Sequence, residues 1–324
     1  MITYNPPKAA ERIPVIDLAG SFSADPEARK AVAWEIHKAC RETGFFYIKN
    51  HGVPAALVAA ELEMTRRYFD LPLDVKMELD ISTSEIMRGY EPSAAQTLDE
   101  GSPPDLKEGF MLARDLGPDH PYVRDKVPYE GPNRWPALAG FRDQNDAYLD
   151  AMIDLGRHLV GYLALSLDLP EDYFANGLEE PASTVRLLHY PPQPEHAAFN
   201  QLGSGAHTDW GLITLLLQDD AGGLEVQNAD GDWIRAEPIP GTFVVNLGDM
   251  VPRITNGLYQ STLHRVLNNV SGRDRYSVPT FFNPGYRYSF TTVPTCLKEG
   301  EAPAPCTFGE HVQEMFRKTY KQAA

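Results

Sequence analysis

Nine histidines and their neighbours decide where chemistry is possible in this chain. His207 is followed two positions on by Asp209, and in a strand residues i and i+2 share one face. Their side chains can therefore converge on one point. A third ligand must come from elsewhere. His264, which ends NGLYQSTLH ahead of another apolar strand, is the best placed. Two imidazoles and one carboxylate on one face of an ion leave adjacent coordination positions open, the arrangement non-haem Fe(II) uses in oxygen chemistry. Alone, a His-x-Asp tripeptide is a weak signal with an ordinary structural reading, and Asp209 could in principle act as a general base. Arg275 and Ser277, again i and i+2, change the weighting. A guanidinium fork grips a carboxylate and a hydroxyl adds a donor. An oxygenase using 2-oxoglutarate needs that feature, because the 2-oxo acid end chelates iron and the distal carboxylate needs a cation beyond it. The bland reading of Arg275 is a surface ion pair, since Arg273 and Asp274 adjoin it. His37, His120, His158, His196 and His311 read as satisfied core or surface residues, and Cys40 as core.

The elements that must position these residues change in texture along the chain. Residues 13–18, IPVIDL, read as a short buried strand. A helix follows, with Asp25 as N-cap, Pro26 at N1, an apolar stripe at Val32, Ile36 and Cys40, and Gly44 as its stop. Residues 45–48 read as a strand, and a second helix runs from 54 to 69. Residues 80–135, rich in Pro, Gly and acid, read as irregular structure and long loops of the kind that border active sites. A long helix is expected over 137–167. Strands are then expected at 183–190, 212–217, 223–228, 242–247, 263–269 and 275–282, with a hairpin turn at Asp230-Gly231. Gly222-Gly223 should permit a bend or bulge, and Asn246, Gly248 and Asp249 should shape a turn after a core strand. A closing helix covers 308–320. Helices segregated from short strands imply an α+β fold with a sandwich or barrel core.

The length of 324 residues allows two domains or one large one. With 29 Lys and Arg against 45 Asp and Glu, the net charge of −16 argues against nucleic acid or an anionic membrane as partner. Three cysteines without a CxxC pair disfavour a zinc ribbon or a disulfide framework. No apolar run approaches the ~20 residues of a membrane span, and the first residues lack the pattern of a secretory leader. The expectation is a cytoplasmic protein, monomeric by default, with no obligatory protein partner.

Longer stretches carry a resemblance. RLLHYPPQP (186–194), GAHTDWGLITLLLQD (205–219), GGLEVQNADGDWI (222–234), GTFVVNLGDMVPRITNGLYQSTLHRV (241–266) and RYSVPTFFNP (275–284) resemble the isopenicillin N synthase-like family of Fe(II)/2-oxoglutarate dioxygenases. CRETGFFYIKNHGVP (40–54) and RRYFDLP (66–72) extend the likeness through the N-terminal half. It implies a double-stranded β-helix, or jelly roll, with flanking helices. Residues 1–135 would be an N-terminal region, and 136–324 the long helix, the oxygenase core and a C-terminal lid helix, all one unit. It further implies Fe(II) on His207, Asp209 and His264, and 2-oxoglutarate on Arg275 and Ser277, aided by Tyr190. Many plant-type members carry an asparagine where this chain has Leu188, so that contact is missing or supplied otherwise. With O2, the expected reaction yields succinate and CO2 and oxidises, most simply hydroxylates, a C–H bond of a small molecule. By family placement the substrate would meet Met87, Arg88, Tyr90, Phe110, Phe199, Trp210 and Phe282, with Arg88 a possible cation for an anionic substrate. Three alternatives stay open: an oxidase of the same family that does not use 2-oxoglutarate (ring-closing or ethylene-forming), a zinc hydrolase, and a non-catalytic sensor.

Overall fold

The computed structural model describes residues 9–93, 103–193 and 201–320. In chain order the elements are β1 (Val15–Asp17), α1 (Pro26–Glu42), β2 (Phe45–Lys49), α2 (Ala55–Phe69), α3 (Leu73–Met77), β3 (Gly89–Glu91), β4 (Glu108–Ala113) and α4 (Pro121–Arg124). There follow α5 (Phe141–Ser166), β5 (Thr184–Tyr190), β6 (Ser204–His207), β7 (Ile213–Gln218), β8 (Leu224–Gln227), β9 (Trp233–Arg235) and β10 (Phe243–Leu247). The chain continues through α6 (Met250–Ile254), β11 (His264–Val266), β12 (Arg275–Phe282), β13 (Ser289–Phe290), β14 (Cys306–Thr307) and α7 (Phe308–Tyr320). Asp25 caps α1, its carboxylate accepting from the Glu27 amide, and Gly44 takes the left-handed conformation (φ +64°) beyond the helix end.

An eight-stranded sheet in the order β1-β2-β10-β7-β12-β5-β4-β3 partners a four-stranded sheet β6-β11-β8-β9. These are the two halves of a jelly roll. One face of the larger sheet is covered by α1, α2 and α5. Ile213, Leu215, Val278 and Phe282 join Tyr68, Tyr148 and Met152 in that core. The opposite face looks into the roll, where Phe45, Tyr47, Leu188, Tyr190 and Val244 meet Leu224, Val226 and Val266 of the smaller sheet. Alternate residues of each strand thus serve two different interiors.

Four expectations are corrected. Residues 80–135 are not wholly irregular: β3 and β4 extend the main sheet, β4 pairing with β5 from Glu108↔His189 to Ala113↔Thr184. The long helix starts at Phe141, because Gly140 sits at φ +77° and cannot continue a right-handed turn. Strand β11 ends at Val266 rather than at 269. The strand assumed to hold both His207 and Asp209 is β6, Ser204–His207, which pairs with β11 and ends before Asp209. The hairpin at Asp230-Gly231 joins β8 to β9, with Gly231 at φ +88°.

Candidate active site

Antiparallel pairing of β6 with β11 sets His207 and His264 directly opposite one another. Asp209 follows β6, and its Oδ1 lies 3.9 Å from Nε2 of each histidine. The three ligand atoms fall within 4.8 Å of one another. Each imidazole is oriented through its other nitrogen. His207 Nδ1 donates to the Gly205 carbonyl at 2.7 Å, and His264 Nδ1 donates to the Thr262 carbonyl at 3.1 Å. Those bonds assign the tautomer and leave both Nε2 lone pairs for a metal. Phe45 stands edge-on to His264.

The aspartate is held as firmly. Its Oδ2 accepts from Asn246 Nδ2 at 2.7 Å and from Thr214 Oγ1 at 2.5 Å, which turns Oδ1 towards the histidines. Asn246 therefore does more than shape a turn. The turn itself, Gly248-Asp249-Met250, clamps the ligand loop: Asp249 N donates to the Asp209 carbonyl at 2.7 Å, Gly248 N to Leu212 and Met250 N to Gly211. Gly248 has no room for a side chain, since a Cβ there would lie 2.3 Å from the Gly211 carbonyl oxygen. Burial pushes the Asp209 pKa up, but the two imidazoles and the Asn246 and Thr214 donors outweigh it, and the carboxyl stays ionised below its usual range. Burial, and then the neighbouring His264, hold His207 well below the usual imidazole value, so it is neutral and ready to ligate. Two imidazole Nε2 atoms with one fixed carboxylate oxygen are a donor set that fits Fe(II).

Arg275 and Ser277 lie on the inner face of β12, both almost fully buried. Arg275 Nη1 donates to Ser277 Oγ at 3.3 Å, and Nε to the Gly222 carbonyl at 2.5 Å. The guanidinium lies over the Tyr190 ring, 4.5 Å from its centroid. Gly222 and Gly223 take φ +76° and +94°, a bend that aims the Gly222 carbonyl at the arginine. Leu188 is the neighbour of Ser277 across the strands and adds an apolar wall there, not a polar contact.

The structure redistributes the substrate-facing set. Tyr90, Phe110 and Phe282 point away from the roll. Tyr90 donates to Glu108 at 2.5 Å, Phe110 packs on Tyr68 and Phe141, and the Phe282 ring fills the space a side chain at Gly156 would need. Each is one residue out of phase, and their neighbours Glu91, Met111 and Phe281 hold the inner positions. Arg88 is buried with its guanidinium on the carbonyls of Ile86, Met87 and Tyr129, so it fastens a loop. Met87 is exposed, at φ +57°. Trp210 is half-buried beside Asp209. Its carbonyl accepts from His311 Nε2 of α7 at 2.6 Å, and Arg253 donates to Nδ1 of the same ring. Phe199 and His196 lie outside the described residues. Sequence reasoning missed Thr214 and the role of Asn246. The signal was a polar residue on the inner-facing phase of an otherwise apolar strand.

Residues 13–138 match the non-haem dioxygenase N-terminal region named for morphine synthesis, and residues 181–284 match the 2OG-Fe(II) oxygenase superfamily. The chain is 39% identical to the 2-oxoglutarate-Fe(II) type oxidoreductase hxnY of Emericella nidulans, over 96% of this chain and 90% of that one. It is 35% identical to a 1-aminocyclopropane-1-carboxylate oxidase of Dictyostelium discoideum, over 89% and 84%. The crystal structure of a full-length Neurospora crassa protein in complex with alpha-KG and thymine superposes at TM-score 0.84, with 28% identity over 95% of this chain and 97% of that one. The chain belongs to the 2OG-Fe(II) oxygenase family, in the branch that carries the non-haem dioxygenase N-terminal region. It is an Fe(II)- and 2-oxoglutarate-dependent oxidoreductase, with Fe(II) bound by His207, Asp209 and His264.

Proposed function

We propose that this enzyme hydroxylates a C–H bond of a small organic molecule, and that Arg275, Ser277 and Tyr190 hold the distal carboxylate of 2-oxoglutarate. The observation that carries this reading is a buried arginine with its serine on the roll's inner face, in the same interior as the triad. When bound, Fe(II) with 2-oxoglutarate and O2 supplies an oxidant for unactivated C–H bonds and releases succinate and CO2. The protein's own part is ligation, orientation and exclusion of water. The His207 and His264 rings are held in place by the Gly205 and Thr262 carbonyls. Asn246 and Thr214 keep one Asp209 oxygen on the metal side. Arg275 neutralises the co-substrate's far end, and the Tyr190 ring and Leu188 keep that end dry. Helix α7, tied through His311 to the carbonyl beside Asp209, acts as the lid. No protein general base is required. We place the protein in the cytoplasm; no helix among the described residues is long and apolar enough to cross a membrane.

The test is the stoichiometry of succinate and oxygenated product, with labelled O2. Hydroxylation puts one labelled atom in the product and one in succinate. Desaturation or ring closure labels succinate alone. Turnover without succinate would overturn the reading in favour of the oxidase branch.

A further inference from the structure

Two ion pairs stand on the inner wall beside the triad, and the chemistry above uses neither. Arg186, on β5, bonds Glu91, on β3, with side-chain exposures of 11% and 17%. Lys107 bonds Asp105 at 2.5 Å with both side chains only 3% exposed, and its ammonium also donates to Ser204 of β6 at 3.2 Å. Asp105 in turn accepts from the Gly205 amide at 2.9 Å, and the Gly205 carbonyl is the one that orients His207. The second pair thus braces the ligand strand, while the first is the more accessible.

Strand register gives the height of the first pair. Leu188 lies opposite Ser277, and Thr184 opposite Phe281, whose partner on the far side is Thr214, the residue that holds Asp209. Arg186 sits midway between Leu188 and Thr184 on the same face of β5. Its level is therefore between the carboxylate anchor and the metal end. Met111 lies opposite it on β4. Gly109 keeps the space open: a Cβ there would lie 3.1 Å from Glu91 Oε2 and 3.4 Å from Arg186 Nε. A buried ion pair adds little net stability compared with an apolar pair of the same volume, so its presence in a reaction chamber calls for another use.

We infer that Arg186 and Glu91 form the subsite that reads the substrate, and that it takes a small molecule of zero net charge presenting a hydrogen-bond acceptor and a donor side by side, as in a cyclic amide. This rests on the proposed Fe(II)/2-oxoglutarate reading. The charge balance supports it. Fe(II), Asp209, the doubly negative 2-oxoglutarate and Arg275 sum to zero, and so does each ion pair. An added carboxylate would leave one uncompensated charge in a low-dielectric interior. The fork of Arg186 offers N–H donors beside the Glu91 carboxylate, which meets the C=O and N–H edge of an amide without any net charge transfer.

The test is calorimetric binding to the anaerobic holoenzyme loaded with Fe(II) and 2-oxoglutarate. Uracil and δ-valerolactam serve as cyclic amides, orotate and cyclohexanecarboxylate as anions. The cyclic amides should bind and the anions should not. Arg186→Gln and Glu91→Gln should each weaken cyclic-amide binding roughly tenfold to a hundredfold. Both variants should keep the visible band of the Fe(II)–2-oxo acid chelate, which shows that they are folded and loaded. Tighter binding of the anions, unchanged binding in both variants, or no binding by either cyclic amide overturns the inference. A wild type that forms no chelate band refutes the proposed function before any probe is added.

Discussion

Asn246 gives the sharpest test of how the metal ligand is held. Asp209 Oδ2 has two donors, Asn246 Nδ2 at 2.7 Å and Thr214 Oγ1 at 2.5 Å, while Oδ1 faces both histidines at 3.9 Å. With both donors the carboxylate has one rotational setting. With one donor it can swing, and the metal must order it again on binding. Loss of one such outer contact lowers metal affinity by about tenfold to a hundredfold. That corresponds to roughly 1.4–2.7 kcal/mol. Asn246→Ala removes a donor and some volume, whereas Thr214→Val removes only a donor. Both should fall in that range, and the double variant should lose more than the product of the two, since no donor then remains. Titration with Mn(II), followed by the paramagnetic resonance of the free ion, reads the affinity without turnover. Wild-type affinity in both single variants would show that the ligand geometry does not depend on these bonds.

Arg275→Gln should raise the 2-oxoglutarate dissociation constant about tenfold to a hundredfold, because a charge-assisted contact is lost; an unchanged constant would point to another cation. Glu61 in α2 is buried, and burial raises its pKa from 4.5 to about 8, only partly offset by the Gln144 hydrogen bond. A raised carboxyl pKa means the folded state holds its proton longer than the unfolded chain does. Its penalty is therefore absent below pH 4.5, grows as pH rises, and is full above about pH 8. Glu61→Gln should raise stability on the order of 3 kcal/mol at about pH 9 and little at about pH 4, measured by urea midpoints. Equal gains at both pH values would refute the buried, protonated carboxyl. Phe282→Ala should destabilise by about 3–5 kcal/mol, while Phe281→Ala should change stability by less than half of that and alter substrate selection instead; the reverse order in urea denaturation would refute the assignment of faces.

The triad was legible because a local i, i+2 relation in one short stretch places His207 and Asp209 together, and Arg275 with Ser277 repeats the device. The third ligand, His264, was legible as the best-placed remaining histidine, but its position opposite His207 was not, since the pairing of β6 with β11 is a long-range fact. The same applies to β6: Ser-Gly-Ala-His has no strand propensity to announce it. Strands β3 and β4 hide in a Pro-, Gly- and acid-rich stretch and take shape through long-range pairing, β4 on β5 and β3 on β4. The out-of-phase assignment of Tyr90, Phe110 and Phe282 has a physical cause. The helix layer buries the outer face of the main sheet and the roll buries the inner one, so both phases of each strand are apolar and alternation no longer identifies the face. What did mark the inner face was polarity: Arg186 in VRLLHY, Asn246 in FVVNL and Thr214 in ITLLLQ each interrupt an apolar strand on the phase that faces the site.

His207, Asp209 and His264 hold Fe(II), and we propose that Arg275 anchors the 2-oxoglutarate beside it. Anaerobic titration of the protein with Fe(II) and 2-oxoglutarate tests it most directly. The weak visible charge-transfer band of an Fe(II)–2-oxo acid chelate is expected in the wild type and absent in His207→Ala. Iron bound without that band, or a band that survives in His207→Ala, would contradict it.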